Sequence, residues 1–149
     1  MKEKSKLYIS TLVIFWIIVA VFILLLASMF LDMYSLFRSF IWIGLPSYAL
    51  LSLLGIALIV LAAKAKLTKI SKVFIILTGS GAAGTGISIV LHNLLFGLFI
   101  VLFGEGFWER IGIGDEPVFF ILATIICPLV LLVGTVGSII LIARKTVLS

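Results

Sequence analysis

The chain has 149 residues, 64% of them apolar and only 11% charged, with a formal net charge of +5. That balance excludes a water-soluble globule, which carries roughly a quarter of its residues as charges. It also excludes disorder, which needs low hydrophobicity. The length suits one domain of four membrane crossings joined by short linkers.

Four stretches contain no Asp, Glu, Lys or Arg: 7–31, 41–63, 73–103 and 118–143. Each exceeds the ~20 residues that cross a ~30 Å hydrocarbon core as a helix. None alternates as a spanning strand would. Only a helix satisfies its own backbone inside lipid, so the expected fold is an all-α integral membrane four-helix bundle formed by the whole chain, 1–149.

Charge orients it. The N-terminal segment (Lys2, Lys4, Lys6), the 64–72 linker (Lys64, Lys66, Lys69, Lys72) and the C-terminus (Arg144, Lys145) hold nine of the eleven basic residues and one acid, Glu3. The other two linkers hold Arg38 and Arg110 against five acids. The formal charge therefore divides into +8 on one side and −3 on the other. The positive-inside rule places the basic side, and with it both termini, in the cytoplasm of a cell membrane. No basic–aromatic module accompanies the lysines, so nucleic acid is not an expected partner. The lysines of the 64–72 linker, with Leu67, Ile70 and Phe74 at helical spacing, also suit an inner leaflet of anionic lipid, at ~1 kcal/mol per lysine.

In chain order, the first run follows three lysines but is longer than the 7–15-residue core of a signal peptide, so it is expected to remain as a span. Its large aliphatic side chains predict a helix facing lipid over much of its surface, with Trp16 deep in it. Tyr8, Tyr34, Trp42 and Trp108 fall at predicted interfaces, as an aromatic belt requires. The 32–40 linker is short enough to make spans one and two antiparallel neighbours, and Pro46 falls in the first turns of span two, where it is tolerated.

Span three is the anomaly: its 31 uncharged residues would measure ~46 Å as one helix. It contains the run GSGAAGTG from 79 to 86. One reading is a broken helix lining a cavity, as in transporters. The favoured reading is a continuous helix whose small residues admit close neighbours. Gly81, Thr85, Ser88 and His92 recur on one helical stripe, with Gly84 beside it. Thr124, Cys127, Leu131, Gly134 and Ser138 form a comparable stripe on span four. Counting from Lys72 and Arg144 pairs Gly81 with Gly134 in depth, and His92 with Thr124. Pro128 frees the carbonyl of Thr124, and His92, Asn93 or the Thr124 hydroxyl is the expected partner for it.

His92 is the one acid–base side chain within a span, and such residues are functional candidates by default. One histidine makes no metal site, and no carboxylate is expected beside it, so the favoured role is a structural hydrogen bond. Cys127 is the sole cysteine and is expected to pack. The outer linker carries Glu105, Glu109, Asp115 and Glu116, with Glu105 and Glu109 one helical turn apart. These acids suit a divalent cation or a basic partner, although the favoured reading is a solvated loop.

No catalytic set, metal site or cofactor motif emerges. The leading expectation is a small polytopic membrane protein of interaction or accessory type, bound to a membrane-protein partner or to copies of itself. The alternative is an oligomeric transporter or channel using the 79–86 run and His92.

Overall fold

Apolar runs of this length close their hydrogen bonds internally, and in the computed structural model, which describes residues 2–30 and 45–145, the described part of each of the four runs is helical. Helix α1 is Lys2–Phe30, α2 is Leu45–Lys64 and α3 is Lys69–Phe103. A single turn, α4, covers Phe107–Arg110. The fourth span joins α5 (Pro117–Ile121), a π-helical turn (Leu122–Ile126) and α6 (Cys127–Ala143). Among the described residues no strand occurs, and four helices are long and apolar enough to cross a membrane. The chain is thus an all-α multi-pass membrane protein. The 32–40 linker, Tyr34, Trp42 and the first residues of the second run lie outside the described residues.

Span three is one unbroken helix of 35 residues, ~52 Å long, and its small residues explain why it can be central. Its run serves two neighbours at once. Toward α2, a Cβ on Gly55 would lie 2.5 Å from both the Ala83 nitrogen and the Gly79 oxygen, and one on Gly86 would collide with Ser52 and the Tyr48 carbonyl. The Ser52 hydroxyl donates to the Ala83 carbonyl at 3.2 Å across the same contact. Toward α6, Gly81 meets the Leu131 backbone, Gly84 meets the Cys127 sulfur and Gly134 meets the Thr78 backbone. Lipid supplies no hydrophobic drive between helices, so such close approach carries the association.

The antiparallel α3–α6 pairing is therefore as expected, but its register is one helical turn away from the depth count. Gly81 faces Leu131 and Gly134 faces Thr78, because each glycine receives the backbone of a bulkier residue rather than another glycine. Thr124 is also misplaced by the periodicity: it is exposed and its hydroxyl donates to its own helix at Phe120, 2.7 Å away. The π-turn accounts for this. The Cys127 amide reaches back five residues to the Leu122 carbonyl, so one extra residue is taken up ahead of Pro128 and the upstream faces rotate.

Helix α1 lies at the edge. It packs on α2 through Thr11, Phe15, Ile18 and Val19, whereas Ile9, Val13, Trp16 and Leu24 stay exposed. Of the 64–72 segment only residues 65–68 form a tight turn, with Ala65 and Leu67 buried, while Lys69 to Lys72 already belong to the first turn of α3. Thr68 caps α3 by accepting from the Ser71 amide at 3.3 Å, and Lys72 donates to the Ala63 carbonyl at 3.1 Å.

Candidate functional site

Polar chemistry gathers where span four begins. Proline at the first turn of α5 presets its backbone, and Glu116 caps it by accepting from the Val118 and Phe119 amides, both at 2.9 Å. Asp115 in turn accepts from the Glu116 amide at 2.7 Å. His92 of α3 closes the group. Its Nδ1 lies 3.2 Å from the Glu116 carbonyl oxygen and 3.4 Å from a Glu116 carboxylate oxygen, and its Nε2 lies 3.5 Å from Asp115. A carbonyl only accepts, so Nδ1 carries the hydrogen. Glu116 is buried, its side chain only 7% exposed, while Asp115 is 49% exposed.

This corrects two expectations. His92 does not serve the carbonyl freed by Pro128, and neither Asn93 nor the Thr124 hydroxyl does: Asn93 donates to Ile89 of its own helix at 2.8 Å. Nor is His92 without carboxylates, since two reach it. The reason lies in the length of α3. The 20 residues from Lys72 to His92 rise ~30 Å, one hydrocarbon thickness. His92 thus sits level with the first residues of span four, at the outer edge of the bundle.

The rest of α3, residues 93–103, overhangs this edge by ~16 Å. The linker folds back along it. Gly104 and Gly106 turn the chain with φ of +86° and +77°, a left-handed backbone that glycine adopts without strain. Phe96, Phe99 and Phe103 recur at helical spacing and stack with Phe107 and Trp108, ring centroids 4.9 to 5.9 Å apart. Trp108 donates to the Phe96 carbonyl at 3.3 Å and is buried rather than belted at an interface. Sequence reasoning missed this aromatic bracket, although the Phe96–Phe99–Phe103 spacing carried the signal.

The outer acids do not form one site. Glu105 and Glu109 are exposed near the tip of the overhang, beside Arg110, whose guanidinium donates to the Phe103 carbonyl at 2.6 Å and the Glu105 carbonyl at 3.3 Å. Asp115 and Glu116 stand at its base. Among the described residues no group of three His, Cys, Asp or Glu side chains is arranged to hold a metal ion. Of the packing candidates, Gly81, Gly84, Thr85, Ser88 and Gly134 lie at the α3–α6 contact, and Pro128 follows the π-turn. Ser138 is buried there, but its hydroxyl finds no partner among the described residues. No protein family, curated protein or solved structure matches this chain.

Proposed function

We propose that this chain is an interaction or accessory subunit of a cell membrane, with both termini in the cytoplasm and no catalytic chemistry of its own. The observation that carries the reading is how the small residues are used. Every glycine of the 79–86 run is filled by an atom of a neighbouring helix, which leaves the run engaged in packing rather than lining a path. His92 is likewise engaged by a helix cap and its flanking acid. What the chain leaves open is apolar surface, including an overhang whose outermost residues are exposed.

Affinity purification from native membranes tests this, because a stoichiometric co-purifying membrane protein or a second copy is the expected result. A liposome assay tests the alternative. Specific flux of an ion or small solute through purified protein would replace the accessory reading with a transport one.

A further inference from the structure

The end of the bundle where α2 passes into α3 gathers cations. Lys64 closes α2, Lys66 lies in the turn and Lys69 opens α3, and all three are exposed. Burial of Ala65 and Leu67 on either side leaves Lys66 facing outward. Lys72 is the exception, since it donates to the Ala63 carbonyl and so fastens the turn. Span four brings two more. Gly137 meets the Phe74 ring, Arg144 is seven residues beyond Gly137, and Leu67 is seven before Phe74. Arg144 and Lys145 therefore stand level with the turn, and both are exposed.

The described chain supplies no counter-charge. Among the described residues no carboxylate lies within ion-pair distance of these five cations. The described acids, Glu105, Glu109, Asp115 and Glu116, all follow the far end of α3. In the sequence Glu3 alone sits among the basic segments, which still leaves +8 on that side. Like charges gathered at one level repel, and an anion among them relieves the repulsion. A signal that only orients a chain needs lysines on one side. It does not need them held around one fastened turn without a counter-charge.

Placement decides which anion. The uncharged run of the second span, 41–63, is barely longer than the ~20 residues of one crossing. The 65–68 turn joins it directly to the next crossing, so these cations are held at the membrane surface. Ile70, next to Lys69, is 61% exposed. Water disfavours such an apolar side chain, whereas the boundary between headgroups and acyl chains accommodates both it and a lysine. A soluble phosphate offers charge alone. An anionic phospholipid offers charge and that boundary together.

We infer that Lys64, Lys66, Lys69, Arg144 and Lys145 form a binding site for the headgroup of an anionic phospholipid, in the leaflet at their end of the bundle. The site goes beyond the accessory role and does not depend on it. Native mass spectrometry of the purified protein, from micelles holding equal phosphatidylglycerol and phosphatidylcholine, tests it. Phosphatidylglycerol adducts are expected to dominate by at least about fivefold, the factor that one cation near an anionic surface contributes. Raising ammonium acetate from ~0.05 to ~0.5 M screens the charges and is expected to shrink that preference in the wild type. Lys64→Gln, Lys66→Gln and Lys69→Gln combined, at unchanged helicity, are expected to erase it, and the matching arginine triple to keep it. Equal retention of the two lipids by the wild type at low salt would overturn the site. So would a full preference in the folded glutamine triple. Displacement of the lipid by inorganic phosphate, at equal ionic strength, would assign the cations to a soluble anion and overturn the lipid. Solute flux, or purification without any partner, would remove the accessory role and leave the lipid preference unchanged.

Discussion

Single atoms set the tolerances of this bundle. A methyl group on Gly55 would sit 2.5 Å from two backbone atoms of α3, and backbone cannot swing aside as a side chain can. Overpacking costs ~1–3 kcal/mol even where side chains yield, so Gly55→Ala is expected to lose at least that much stability in a reversible unfolding titration. Ser138→Ala is expected to act in the opposite direction. Its buried hydroxyl has no partner among the described residues, and a desolvated, unpaired polar group costs ~1–3 kcal/mol. The same titration should therefore show the alanine variant no less stable than the parent, and up to ~1 kcal/mol more. Glu116→Ala removes a helix cap, worth ~1 kcal/mol, and the carboxylate facing His92 besides. A loss of ~1–2 kcal/mol is expected, with His92 ring signals in NMR shifting as their neighbour disappears.

Helices show how far residue patterns reach. The four spans and the continuity of α3 were legible, because uncharged length and internal hydrogen bonding leave no other solution. The small faces of α3 and α6 were legible as contacts. Their register was not, since counting from Lys72 and Arg144 assumes that both charges stop at one depth, whereas the fit of each glycine onto a facing backbone decides it. Thr124 pointed the wrong way because a π-turn adds a residue without a sequence mark that periodicity can read. Removing Ile125, inside that turn, is expected to restore an ordinary α-turn and leave Gly134 and Gly137 facing α3. Removing Val133 from α6 rotates the residues beyond it by ~100° and should abolish the folded peak in size-exclusion chromatography.

Across the whole molecule, the least legible feature was the outer edge. Nothing in composition distinguishes residues 93–103 from the membrane-buried part of α3, so the base of the linker, with Asp115 and Glu116, was placed too far from His92. Geometry places them together because α3 continues past the start of span four and the linker returns along it. This arrangement predicts a definite pattern of access. In a Cys127→Ala background, Glu105→Cys should react with a membrane-impermeant maleimide on intact cells. Lys66→Cys should react only after permeabilisation, and labelling in the reverse order would invert the proposed orientation.

The peripheral seat of α1 bears on biogenesis. Its described surface is mostly bulky and apolar, so once released from the ribosome it can dwell alone among acyl chains. Helix α3 has no such independence, for its glycines leave peptide groups bare on two sides until α2 and then α6 close over them. Synthesis proceeds in the order that supplies those covers one at a time, and a chain stalled before residue 127 would carry one bare side into the quality-control machinery of its membrane.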